Sequence, residues 1–211
     1  MALRPEKQME KTIFLFQRHR DRTRDNFARH YINAHAPLGA KLTRSLLGYT
    51  VNLVENSRGP DAITEHWLSQ AMDLLTPDIA YATRQDFDAV VADDRTLFSD
   101  SVLYVVIAET YPIPAEPKAA PLGTQTPEIK AIWLYADASK APSPPIAARR
   151  VVDNRVGYKL VFSDGKRKQV APEFELIRMA WADSKEAFGD AVADAIIVKE
   201  YRFITAPQWP V

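Results

Sequence analysis

The stretch RHYINAHAPLG, residues 29–39, places two histidines, a tyrosine and an asparagine between positions 29 and 35. Imidazole exchanges a proton near neutral pH, and a neighbouring phenol can donate a hydrogen bond to a substrate oxygen. The chain has four histidines, His19, His30, His35 and His66, all in its first third. His35 follows Tyr31 by four residues, so on a helix the two share a face. It is a candidate acid–base group; the competing reading is a histidine that caps a helix end and complements its dipole. His66 lies in an extended run whose alternation puts Thr64, His66 and Leu68 on one face and Ile63, Glu65 and Trp67 on the other. Ile63 and Trp67 read as the pair that packs on helices, which would send His66 to the open face of the sheet. Tyr49 and Tyr104, both in strands, are candidate phenol donors. Gln17 and His19 end the first strand where a pocket mouth could form. His30 reads as exposed. In the second half Arg149, Arg150, Arg155 and Arg178 are cations able to hold an anionic group.

The elements that must position these groups follow from local pattern. KTIFLF (11–16), GYTVNLVE (48–55), AITEHWL (62–68) and VLYVVIAETY (102–111) read as strands, and SRGPD (57–61) as a turn. Thr23 offers an N-cap to a helix whose buried stripe is Phe27, Tyr31, Ala34 and Leu38, and 77–98 reads mainly as helix. The order is β-α-β-β-α-β, the split βαβ arrangement of ferredoxin-like domains. Residues 112–128 hold five prolines in seventeen positions and read as a semi-rigid linker. After it IKAIWLY (129–135), VGYKLVF (156–162), FELIRMAWADSKEAF (174–188) and IIVKEYRFI (196–204) repeat the pattern in reduced form. Trp181 stands where Trp67 stands and Glu200 where Glu109 stands. DASKAPSPPIAARR replaces the first helix and is too rich in proline to form a long one. Gly157–Tyr158 reads as the counterpart of Gly48–Tyr49.

Composition excludes several chemistries. Lys plus Arg and Asp plus Glu are 27 each, so no global basic excess points to nucleic acid. There is no cysteine, hence no disulfide, thiolate nucleophile or cysteine metal site. Only seven glycines occur, with no phosphate-binding or dinucleotide fingerprint, and no histidine spacing proposes zinc. The first residues lack the apolar core of a signal peptide, and no run is long enough to span a membrane. A cytoplasmic location is therefore expected.

NAHAPLG after an aromatic-bearing helix, then LLGYTVNLVE, ITEHWLSQAMDL and DDRTLFSD, resembles the EthD family of the dimeric α+β barrel superfamily. The resemblance covers residues 11–111, with His35-Ala36-Pro37-Leu38 its most specific element. It implies that the first helix ends at this motif. Trp67-Leu68 departs from the Trp-Phe pair of the family pattern. Relatives in the superfamily include polyketide cyclases, decarboxylases, isomerases, dehydratases and monooxygenases, and some bind haem.

Pattern and resemblance together give an α+β fold of two ferredoxin-like repeats, 1–111 and 129–211, joined by the linker 112–128 and closed into an internal, pseudo-dimeric barrel. The expected activity is that of a cofactor-independent lyase, a decarboxylase or an enzyme of elimination or C–C cleavage. Its substrate would be a small aromatic or polyketide-like compound bound between the repeats. His66, His35, Tyr49 and Tyr104 are the expected catalytic groups, and His19, Tyr31, Gln17 and Arg178 the expected substrate contacts. No cofactor, metal, nucleic acid or membrane is expected, and the sequence allows a homodimer. Alternatives are a polyketide-type cyclase, a non-catalytic accessory protein for an oxygenase system, and a haem-dependent oxidoreductase.

Overall fold

A computed structural model describes residues 9–56, 59–163 and 166–206. The first eight residues, and Ser57 and Arg58 of the expected turn, lie outside the described residues. In chain order the elements are β1 (Glu10–Arg18), α1 (Arg24–His30), a π-helical turn (Tyr31–His35), α2 (Ala36–Leu42), β2 (Leu46–Val54) and β3 (Ala62–Leu68). There follow α3 (Pro77–Ala80), α4 (Arg84–Leu97), β4 (Phe98–Ile113) and β5 (Ile129–Tyr135). The last are β6 (Arg150–Ser163), β7 (Lys166–Val170), β8 (Leu176–Ala182) and β9 (Ile196–Ile204).

Eight antiparallel strands close into a barrel in the order β4-β1-β3-β2-β9-β5-β8-β6, with β6 returning to β4 and β7 extending β6 as a hairpin. Two seams join the halves, β2 with β9 and β4 with β6. Alternation sends Ile13, Ile63, Tyr104, Ile132, Val152, Ile177, Met179, Trp181 and Val198 into the barrel core. Outside, α1, α2 and α4 cover the first half over Phe27, Tyr31, Tyr49, Val51 and Leu97. The second half is covered by the segment 136–149 and the turns of Lys185–Asp194, over Trp133, Ala180 and Phe188. In the proline-rich stretch only Ala138–Lys140 becomes helical.

Caps define the long helices. The Thr23 hydroxyl accepts from the Asn26 amide, and Thr83 and Asp86 form a reciprocal capping box that starts α4. The first helix does not end at His-Ala-Pro-Leu. It widens into the π-turn, where the Ala36 amide reaches back to the Tyr31 carbonyl, and continues to Leu42. Pro37 has no amide to donate, and the wide turn removes the carbonyl its ring would otherwise strike. The turn also advances the helical phase by a residue. Ala34, expected to be buried, is exposed, while His35, Ala36 and Gly39 take the inward face.

Pro112 and Ile113 of the expected linker end β4, and residues 118–126 run along β9. The Gly123 and Thr126 amides bond the Arg202 and Glu200 carbonyls at 2.7 and 2.8 Å, and Arg202 donates to the Lys118 carbonyl. Gly157–Tyr158 is not the counterpart of Gly48–Tyr49. Asn52 bonds the Ile63 carbonyl as Asn154 bonds that of Ile177, so the residues around Asn154 match β2, and Tyr158 lies further along β6 opposite Val105. Among the described residues no helix is long and apolar enough to cross a membrane.

Candidate functional site

Both faces of β3 are covered, and all seven of its residues are buried. Ile63, Glu65 and Trp67 point into the barrel, and His66 points to the helices, the reverse of the expected orientation. The reason is the closed barrel: its interior takes Ile63, Trp67 and a Glu65 matched by Lys11 and Lys130, and leaves Thr64, His66 and Leu68 beneath the helix layer. His66 stacks on Tyr49 with ring centroids 4.9 Å apart and meets the Phe14 edge at 5.5 Å. Tyr31 and His35, on successive turns, lie 5.1 Å apart, and both pack on Phe98 where α4 passes directly into β4. The Tyr31 and Tyr49 phenols are close enough to act on one another electrostatically. Tyr31, His35, Tyr49 and His66 thus converge between the helices and the first half of the sheet.

The strongest polar partners of this cluster come from α4. His35 Nδ1 lies 2.8 Å from one Asp93 carboxylate oxygen, and His30 Nε2 lies 2.8 Å from the other. His35 Nε2 lies 3.5 Å from Asp94. The His35 and His30 hydrogen bonds hold the Asp93 carboxyl below its ordinary range. Packing around the Asp94 carboxyl, with the Asp93 charge beside it, pushes it up to about 6 against the pull of His35. With 42 % of its side chain exposed, Asp94 is where the cluster meets solvent. Burial raises the Tyr31 and Tyr49 phenols, so both remain hydrogen-bond donors at neutral pH. Burial takes His66 the other way, down to about 3, so its ring is neutral; among the described residues its Nδ1 has no hydrogen-bond partner. The arrangement is a carboxyl–imidazole pair at the rim, two phenols behind it and a neutral imidazole at the floor.

The remaining expected site residues lie elsewhere. Tyr104 alternates into the barrel core, where its hydroxyl donates to Glu173 at 3.0 Å, because it pairs with the inward-facing Ile13. Arg178 lies on the outer face of β8, its guanidinium held by both Asp153 oxygens at 2.7 and 2.8 Å, so its charge is already matched. Gln17 is exposed. His19 lines an open groove of about 810 Å³ against α1, together with His30, Arg22, Arg29 and Arg95. His30, read as exposed, is bound to Asp93 and part-buried. Asp93 and Asp94 were missed as site residues. DDRTLFSD contains them, and the signal lay in their helical phase, which points both carboxyls at the histidine-bearing helix.

Three comparisons bear on this architecture. No family model matches the sequence, and no curated protein matches it. Among solved structures, an anthrone oxidase-like protein aligns over 98 % of both chains at 10 % identity with a TM-score of 0.52. An EthD family protein from Bacillus halodurans aligns over 46 % of this chain and 96 % of its own at 24 % identity, TM-score 0.34. A chlorite dismutase variant from Candidatus Nitrospira defluvii aligns over 91 % and 90 % at 13 % identity, TM-score 0.47. The chain has the α+β barrel fold of the first of these. Haem does not fit the histidine-bearing layer: its rings pack 4.9–5.5 Å apart, and both His35 nitrogens face carboxylates.

Proposed function

We propose that the protein is a cofactor-independent lyase acting on a small aromatic or polyketide-like compound by proton transfer at the His35–Asp94 pair. The observation that carries this reading is geometric: His35 Nε2 lies 3.5 Å from the solvent-facing Asp94 carboxyl, which its surroundings push up to about 6. A group poised near the working pH is the better proton donor and acceptor. In a decarboxylation, Asp94 or His35 protonates the ring carbon that bears the carboxylate. The C–C bond then breaks, its electron pair restores the aromatic ring, and carbon dioxide leaves. Tyr31 packs on His35 and Tyr49 lies behind it; both are buried, so they position the His35–Asp94 pair rather than touch the substrate. His66, neutral by burial, fixes the Tyr49 ring rather than carrying the proton.

We also read the chain as two ferredoxin-like repeats, 1–111 and 129–211, on either side of the linker. Supporting this are the strand orders β4-β1-β3-β2 and β9-β5-β8-β6, and the paired positions Lys11 and Lys130, Asn52 and Asn154, and Trp67 and Trp181.

The test is turnover by the purified protein, without added cofactor, on a panel of phenolic acids and polyketide-like β-ketones followed by mass spectrometry. Asp94→Asn and His35→Gln are expected to lower kcat by about 10²–10⁴-fold while remaining folded. Tyr104→Phe, altered inside the barrel, should leave it unchanged. Saturable binding without turnover by the wild type would replace this reading with that of a binding protein.

A further inference from the structure

The groove against α1 concentrates arginine charge that the described residues leave unmatched. Arg22 enters it from the β1–α1 connection, Arg29 from α1 and Arg95 from α4, with His19 and His30 beside them. Among the described residues none of the three guanidiniums has a carboxylate within 4.0 Å. Two of them are held by neutral acceptors instead. Arg22 donates to the Thr96 carbonyl at 2.7 Å and to its hydroxyl at 3.2 Å, and Arg29 donates to the Asn26 side chain. Such bonds fix the direction of a guanidinium without neutralising it, which lowers the entropy lost when it takes a ligand. The groove contains one acid, Asp21, which lies 3.4 Å from His19. Asn26 and Asn33 add neutral hydrogen-bonding groups to the wall.

We propose that this groove binds a small organic carboxylate, with the arginine forks on its oxygens. The planar guanidinium matches a carboxylate or phosphate with two parallel hydrogen bonds, a geometry a lysine does not supply. At about 810 Å³ the groove has room for a drug-sized or smaller ligand. The inference stands on the groove alone and holds whether or not the His35–Asp94 pair is catalytic.

The experiment is a titration of the full chain at low salt with phthalate, and separately with inorganic phosphate, by calorimetry and by the arginine side-chain signals in nitrogen-15 NMR. Saturable binding of one equivalent of phthalate is expected, weakened at least tenfold in Arg29→Gln/Arg95→Gln. It should be unchanged in Arg84→Gln, which alters an exposed arginine of the same helix outside the groove. Arg29→Lys, which keeps the charge and loses the fork, should weaken it by a smaller factor. Phosphate binding more tightly than phthalate at the same arginines would overturn the carboxylate assignment in favour of a phosphorylated ligand. Absence of saturable binding, or binding indifferent to the double substitution, would overturn the site.

Discussion

His66 illustrates how burial sets the state of a single residue. In the unfolded chain its imidazole titrates near 6.5, and in the folded protein burial takes it down to about 3. Between those values the unfolded state binds a proton that the folded state excludes. Stability therefore falls as pH drops through that window, by about 1.4 kcal/mol per pH unit. His66→Phe keeps a ring against Tyr49 and Phe14 and removes the proton. Urea unfolding from pH 7 to 4 should show a flatter loss of stability for the variant. Parallel curves for the two proteins would mean that His66 is not held neutral. The position of His66 in a strand, and its partners on the same face, were legible from alternation. The face was not. Alternation distinguishes inside from outside only when one side is wet, and in a barrel wrapped by helices both sides of β3 are dry.

Most strands and the two long helices could be read from β-branched runs and caps, because those signals are local. The π-turn could not, since its cause is a fit between Pro37 and the preceding turn that periodicity averages away. The same limit produced the false match at Gly157. Gly-Tyr is a two-residue coincidence, whereas the true equivalence is carried by Asn52 and Asn154, each opposite a glutamate across a seam: Asn52 faces Glu200, and Asn154 faces Glu109. Gly157 has its own role at the β4–β6 seam. A Cβ built on it would lie 2.3 Å from the Ile107 Cγ2 methyl, so the two strands close there because the residue is glycine. Gly157→Val should destabilise the protein by about 1–3 kcal/mol through overpacking. Ile107→Ala, at an exposed position, should cost little alone and should recover most of that loss in the double variant. Chemical denaturation of the four proteins measures the coupling. Additive effects would show that the seam relaxes elsewhere.

At the scale of the molecule, the two halves are joined by a charged core that hydropathy alone would not suggest. Lys11 and Lys130 are 2 % and 0 % exposed, each above a tryptophan, Trp67 at 4.6 Å and Trp181 at 4.5 Å. Glu65 bonds both lysines, Glu109 bonds Lys11, and Glu200 bonds Lys130 and Arg202. Three cations thus meet three carboxylates. Burial alone would push Glu65 up, but Lys11 and Lys130 outweigh it and hold its carboxyl well below the usual range. Burial likewise opposes ionisation of Lys11, and Glu109 and Glu65 outweigh it and raise its pKa. For a carboxylate lowered from 4.5, the stabilisation is fully present above that pH and is lost as pH falls towards the folded value. Removing one partner leaves a buried charge uncompensated, so Glu65→Gln should cost about 3–5 kcal/mol. Met179 occupies the place in the second half that Glu65 occupies in the first: Glu65 lies opposite Ile13, and Met179 opposite Ile132. An apolar side chain is therefore tolerated there when its lysine has another carboxylate. It follows that Glu65→Met combined with Lys130→Met, which deletes one charge of each sign, should be more stable than either single variant. Thermal unfolding between pH 7 and 3 tests both points. The double variant should lose less stability below pH 4.5 than the wild type, and a double variant less stable than both singles would show that the halves need the ions themselves and not only their balance.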